Sequence, residues 1–480
     1  MARGTSVLDG PPRCGSIGAM LTASARTRFE ELAETSASPV VVGRLRALFD
    51  AGTDYECYKI NAFRLATELG VPRGDAVRAL LFATRIGLLD LSWDIHCPSC
   101  HGVPEYHKHL MNVRTTAHCG LCVLDWTLNL EDQVEVTFTV NPDVRKITYP
   151  NFDELPFPQN VGWIRDMGAR EGRVPTLGDL FRPGDEKTLT GTVTEGVYRV
   201  YVPSHLDQGM RVVVAGPLAT SDQEIEVRVA EDGTLSVPEV RIAPGRIRLT
   251  VHYGYVKAWG FTMRRDEPER NWVSATYVAS QQDFRDLFAA EFLALDASFS
   301  VRSTTLMFSD IRGSTEMYEA LGDARAYAIV QEHFRVMVEI IRRHEGGVVK
   351  TIGDAVMAVF PVNVDGVRAA CAIQRAFADV GEPLRGVEVK IGLHRGPTIV
   401  VTSNRTIDYF GRTVNIAART QGAAAPKEVL ITDAVLADAE VLAFVDGLPI
   451  RAFEAKVKGV AEPIKLHAIG SPSPQVASLG

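Results

Sequence analysis

The sequence has no run of about 18 apolar residues, which excludes a membrane-crossing helix of ordinary length. Its first residues offer only Ile17-Gly18-Ala19-Met20-Leu21 as an apolar stretch, too short and interrupted for a secretory signal, so the expected location is cytoplasmic. It lacks an excess of one charge: 51 Lys and Arg stand against 59 Asp and Glu, a formal −8, which gives no global pull toward nucleic acid or an anionic surface. Cysteine is sparse and odd in number, seven in 480 residues, and that argues against a disulfide framework. What is present is the composition of a folded protein, 46% hydrophobic and 23% charged, in a chain long enough for about two to four cores.

Residues 1–37 are rich in small residues and are expected to form a disordered leader, with at most a helical turn or two between Arg26 and Glu34. Over 38–93 the apolar spacing is helical. Ala66 followed by Gly70 is the spacing of a helix-turn-helix corner, and Gly87-Leu88-Leu89-Asp90-Leu91 continues it as a strand, giving a winged-helix-like outline. Arg64, Arg73, Arg78 and Arg85 would suit DNA, but Glu68 and Asp75 offset them and no basic stripe forms, so nucleic-acid binding is the disfavoured reading. Residues 94–125 hold two CxxC pairs, Cys97 with Cys100 and Cys119 with Cys122, at the separation of a zinc ribbon. Four thiolates leave no open coordination position, so the expected ion is a structural Zn²⁺.

From 126 to 280 the period switches to two, as in Val134–Val140 and Glu224–Val229, predicting an antiparallel β-sandwich-like region. Gln281–Ala297 carries Phe284, Leu287, Phe288, Phe292 and Leu295 on one helical face, so 281–300 is expected to be a connecting helix. Residues 301–470 alternate strands and helices in a βαββαβ order, the ferredoxin-like arrangement, with a hairpin expected through His394-Arg395-Gly396. A tail, 471–480, follows. The fold class predicted is therefore multidomain α+β.

Chemistry concentrates in the C-terminal third. The strand Thr305–Ser309 ends in Asp310, and Val349-Lys350-Thr351-Ile352-Gly353 ends in Asp354. Two carboxylates at neighbouring strand ends, without cysteine or histidine, select a hard cation such as Mg²⁺ or Mn²⁺. Between the first aspartate and the following helix, Ile311-Arg312-Gly313-Ser314-Thr315 offers backbone N–H groups and a helix N-terminus to a polyphosphate.

These segments, together with Phe410-Gly411-Arg412-Thr413-Val414-Asn415-Ile416-Ala417-Ala418-Arg419, resemble the catalytic domain of class III nucleotidyl cyclases. The upstream region resembles a bacterial domain of unknown function that precedes such cyclases. The resemblance implies two metal ions held by Asp310, Ile311 and Asp354, a ribose oriented by Asn415, transition-state charge met by Arg419, and terminal phosphates reached by Lys458. Lys350 and Asp408 fall at the base-reading positions. Adenine presents an acceptor at N1 and a donor at N6, which a lysine and an aspartate complement; guanine presents the opposite pattern. The implied protein is a homodimeric adenylate cyclase that turns ATP into 3′,5′-cyclic AMP under an N-terminal regulatory region. A guanylate or pyrimidine nucleotide cyclase, and a nucleotide-sensing nucleic-acid-binding regulator, are the alternatives. Arg412 departs from the Asn or Asp usual before this threonine, next to the base-reading strand.

Overall fold

The computed structural model describes residues 23–54, 56–99, 102–120, 124–147, 177–202, 205, 209–265, 272–455 and 463–470. Four helices begin it: α1 (Ala23–Ala33), α2 (Pro39–Ala51), α3 (Ala62–Leu69) and α4 (Arg73–Arg85). The first corrects the expected disordered leader at residues 23–33, where Ala25, Phe29 and Leu32 are buried and Phe29 meets Phe49 edge-on with ring centroids 5.2 Å apart. Three apolar residues at helical spacing suffice to anchor so short a helix once a groove receives them. The corner between α3 and α4 turns at Gly70 (φ 64°), as the Ala66–Gly70 spacing requires.

Five short strands follow: β1 (Leu89–Ile95), β2 (Glu105–His107), β3 (Thr116–Cys119), β4 (Leu124–Thr127) and β5 (Val134–Val140). The pair β3–β4 is a separate hairpin, whereas β1 lies between β2 and β5. Strand β5, expected with the β-rich region from 126 onward, thus completes the N-terminal sheet instead.

The sandwich is built from β6 (Leu177–Phe181), β7 (Glu186–Val193), β8 (Gly196–Tyr201), β9 (Met210–Val214), β10 (Gln223–Val229), β11 (Glu239–Ile242), β12 (Gly245–Tyr253) and β13 (Trp259–Arg265). Its two sheets run β10-β12-β7 and β11-β9-β8-β13-β6 around one apolar core. The sheets are mixed rather than antiparallel throughout, since β10 runs parallel to β12 and β11 parallel to β9. Period-two alternation reports which face is buried, not strand direction, and could not distinguish these.

Two short helices, α5 (Ala275–Ser280) and α6 (Gln282–Leu287), replace the single connecting helix expected over Gln281–Ala297. The helical pattern stops at Leu287, and Leu295 is 77% exposed. The C-terminal unit then runs β14 (Ser298–Ile311), α7 (Ser314–Leu321), α8 (Asp323–Arg343), β15 (Gly347–Ile352), β16 (Ala355–Phe360), α9 (Asn363–Asp379), β17 (Val389–Ser403), β18 (Thr406–Phe410), α10 (Arg412–Gly422), β19 (Val429–Thr432), α11 (Asp433–Leu436), α12 (Ala439–Val445), β20 (Ile450–Ala455) and β21 (Ile464–Ile469). Strand order β15-β16-β14-β17 is the ferredoxin-like order, extended by β19-β21-β20. No hairpin forms at His394-Arg395-Gly396. Strand β17 is continuous, because β14 pairs along nearly its whole length and absorbs Pro397, which lacks an N–H, in a register shift between Val301 and Thr304. The hairpin forms later, through Asn404 and Arg405, both at positive φ.

Alternation along β14 and β16 feeds two cores. Met307, Ile311, Val356, Ala358 and Phe360 face α8 and α9, while Leu306, Phe308, Met357 and Val359 join a core continuous with the N-terminal helices. The C-terminal sheet is therefore covered by its own helices on one face and largely by the N-terminal unit on the other. Among the described residues, no helix is long and apolar enough to cross a membrane.

Candidate active site

The alternation of β14 sends Ser309 inward and leaves Asp310 half-buried at the strand end, while Gly353 (φ 65°) turns β15 into β16 and places Asp354 beside it. The two aspartates predicted to act together do meet. Asp354 Oδ2 accepts the Ile311 N–H at 3.2 Å. The Asp310 carboxyl is pushed above its ordinary range by burial and then by the charge and hydrogen bond of Asp354, against which Lys390 and the Ile311 N–H pull. Two carboxylates so compressed take up either a proton or a cation. A paired-carboxylate site of this kind would fit a hard cation such as Mg²⁺ or Mn²⁺, which Asp310, Asp354 and the Ile311 carbonyl would hold.

His333 of α8 lies behind this pair and carried no signal in the sequence beyond its place in an apolar helical face. It is fully buried, tilted against Phe334 and edge-on to Phe377, with no hydrogen-bond partner on either ring nitrogen. Burial holds its pKa at about 4 despite the opposing charge of Asp354, so the imidazole is neutral near pH 7. Ser309 Oγ is likewise buried and unpartnered.

After Ile311, Arg312 pairs with Glu388 at 2.8 Å and Gly313 adopts φ 65°. Helix α7 then starts without any side-chain cap, so no side chain competes for the first N–H groups around Ser314 and Thr315.

The second pair predicted to work together also meets. Lys350 Nζ lies 2.6 Å from Asp408 Oδ2, and 5.5 Å over the Phe410 ring. Asp408 is 4% exposed, and its other oxygen accepts the Tyr409 N–H at 2.8 Å. Asn415 and Arg419 sit one turn apart on α10, and among the described residues neither side chain makes a hydrogen bond within the chain. Arg412 opens that helix, exposed, and helps burial hold the His394 ring at about 4. Among the described residues, no hydrogen bond or ion pair joins the Asp310–Asp354 pair to Lys350, Asp408, Asn415 or Arg419.

Of the expected zinc ligands, Cys97 and Cys119 are buried in one small cluster against Leu124 and Trp126. Cys100, Cys122 and Lys458 lie outside the described residues. No three metal-binding side chains come together among the described residues.

Residues 298–459 match the family described as the adenylate and guanylate cyclase catalytic domain, and residues 22–167 match a family of unknown function, DUF5939. The chain thus joins a region similar to the class III nucleotidyl cyclase catalytic domain to an N-terminal DUF5939 region. An adenylate cyclase of Anabaena cylindrica is 30% identical over 189 residues, covering 35% of this chain and 37% of that one. The receptor-type adenylate cyclase GRESAG 4.1 of Trypanosoma brucei brucei is 27% identical over 218 residues, 36% of this chain and 17% of its own. The chain thus spans well under half the length of these relatives. Among solved structures, the adenylyl cyclase CyaB of P. aeruginosa is 22% identical, covers 38% of this chain and 100% of its own, and superposes with a TM-score of 0.31.

Proposed function

We propose that the chain is an adenylate cyclase, converting ATP to 3′,5′-cyclic AMP and pyrophosphate in a homodimer governed by its N-terminal region. The observation that carries this reading is the Lys350–Asp408 pair, a donor and an acceptor 2.6 Å apart, the carboxylate buried and the ammonium partly exposed. One edge of adenine docks across the pair: the ammonium donates to N1, and the carboxylate accepts from the N6 amino group. Guanine offers a donor and an acceptor in the reverse places. Two mismatched pairs at about 1–3 kcal/mol each amount to roughly 30- to 20,000-fold in selection.

Asn415 orients the ribose, and the N–H groups of Gly313, Ser314 and Thr315 receive the polyphosphate, the Ile311 and Arg312 N–H groups being taken by Asp354 and the Glu388 carbonyl, with Lys458 added to the terminal phosphates. The ribose 3′-oxygen loses its proton and attacks the α-phosphorus; the bond to the bridging oxygen breaks and pyrophosphate departs with its electron pair. Arg419 meets the charge that builds on the transferring phosphoryl group, a task for a planar, permanently charged donor. Mg²⁺ or Mn²⁺ ions held by Asp310, Ile311 and Asp354 would supply the charge that acidifies the 3′-hydroxyl and neutralises the phosphates.

Two features support a dimer. Among the described residues no hydrogen bond or ion pair joins the metal-holding and base-reading groups within one chain, and Ile352 on β15, Ile399 on β17 and Phe410 on β18 are 54%, 44% and 47% exposed. The four ribbon cysteines are assigned a structural Zn²⁺, supported by the joint burial of Cys97 and Cys119. Elemental analysis should find about one zinc per chain, and a metal-free, correctly folded protein would remove that assignment.

The test of the main reading is a competition among ATP, GTP, CTP and UTP with Mn²⁺ and purified protein. Cyclic AMP should dominate the products. Preference for another nucleotide would redirect the base assignment, and no cyclic product from any of the four would end the enzyme reading.

A further inference from the structure

Lys350 and Asp408 belong to strands that do not pair. Strand β15 is an edge strand bonded only to β16, and β18 is bonded only to β17. The sheet therefore leaves the separation of the two base-reading side chains unset. One element touches both strands. Gln282, which opens α6, accepts the Val348 N–H at 2.7 Å and donates its own N–H to the Gly346 carbonyl at 3.1 Å, just ahead of Lys350. One turn later Arg285 donates through Nη1 to the Ile407 carbonyl at 3.1 Å, one residue ahead of Asp408, with its guanidinium 6.0 Å over the Tyr409 ring.

The same helix faces the N-terminal unit. Asp283 pairs with Arg78 of α4 at 2.7 Å and with Arg342 of α8 at 3.4 Å. Arg285 is an expensive choice for stability alone, since its Nε and Nη2 are buried without partners. An apolar side chain would pack there at less cost, but it could not hold a carbonyl of β18.

We propose that Arg285 and Gln282 are positioning residues for base recognition: they fix the spacing of Lys350 and Asp408 and make nucleotide selection answer to the N-terminal helices through α6. The inference rests on the cyclase reading above. Its test uses the full chain with Arg285→Met, which keeps the apolar stem and removes the donors, and Arg285→Lys, which restores one donor. Kinetics with Mn²⁺-ATP and Mn²⁺-GTP are measured alongside melting temperature.

Arg285→Met should raise KM for ATP about tenfold and narrow the ATP-over-GTP ratio of kcat/KM by a similar factor, with kcat and melting temperature nearly unchanged. Arg285→Lys should recover most of the loss. Gln282→Met, which removes the acceptor for Val348 and the donor to Asp286, should shift the same ratio and gives a second reading where Arg285→Met folds poorly. A fall in kcat with KM and selectivity unchanged, or loss without recovery by lysine, would overturn the proposal. Should the native chain make no cyclic nucleotide, the cyclase reading fails separately, and fluorescent ATP and GTP analogues then report the same selectivity by binding. Equal ratios in the native and Arg285→Met chains would overturn the positioning role there too.

Discussion

At the scale of single residues, the site is a set of unmet demands. Asp310 and Asp354 crowd each other, and His333 behind them is buried, neutral and unpartnered. The histidine has a measurable consequence. In the unfolded chain its imidazole takes a proton near pH 6.5, but in the folded chain only at about 4. Between those values the unfolded state binds more protons, so stability is full above pH 6.5 and falls as the pH drops toward 4. At about 1.4 kcal/mol per pH unit, the loss approaches ~3 kcal/mol. His333→Leu should keep neutral-pH stability within about 1.5 kcal/mol while removing that part of the acid sensitivity. Denaturant unfolding at a series of pH values checks it; an unchanged acid slope would show that His333 is not the group responsible. The two aspartates, Lys350 and Asp408 were legible in the sequence because each stands in a short motif whose chemistry needs that residue type. His333, Ser309 and Arg285 were not, because an isolated polar residue in an apolar helix or strand looks the same whether or not it finds a partner.

At the scale of elements, the junction between α4 and the end of α8 ties the two halves of the chain together. Helix α4 has no side-chain cap of its own; Glu345, just past α8, accepts the Gly74 N–H at 3.0 Å and hydrogen-bonds to the Tyr277 hydroxyl. A carboxylate there also meets the positive end of the helix dipole. The contact occupies the helix that a DNA-reading fold would present outward, and Arg78 on it is bound to Asp283 and Asp75. A Cβ at position 74 would stand 2.3 Å from Glu345 Oε1. Glycine to alanine inside a helix ordinarily stabilises by up to about 1 kcal/mol. Here Gly74→Ala should destabilise by about 1–3 kcal/mol, because Glu345 must swing away and leave two donors unmet. Chemical denaturation gives the sign; a stabilised variant would mean the junction is not formed in solution. The Gly70 corner was readable from the Ala66–Gly70 spacing, whereas the split of the connecting segment into α5 and α6 was not. Helical periodicity up to Leu287 ran on into Phe288, Phe292 and Leu295, and apolar spacing alone does not mark where backbone hydrogen bonding ends.

At the scale of the whole molecule, the β15–β16 hairpin carries Lys350 on its first strand and Asp354 in its turn, four residues apart, yet the two side chains keep different company. Asp354 lies with Asp310, and Lys350 lies with Asp408. If a second chain completes each site, one hairpin serves two sites at once, and any movement passed through α6 reaches both. The sequence could order these motifs, but pattern and propensity say nothing about which chain supplies which half, since a residue carries the same local signal on either side of a two-fold axis. Subunit mixing decides it. Asp354→Ala and Asn415→Ala should each be inactive alone, the first for want of a metal ligand and the second for want of ribose orientation. Where sites are shared between chains, an equal mixture that exchanges subunits forms hybrid dimers as about half of the population, each with one intact site and one doubly damaged site. Activity should then return to about a quarter of the native value. If each chain instead carries a complete site, every chain in the mixture remains defective, and activity stays at background however long the subunits exchange.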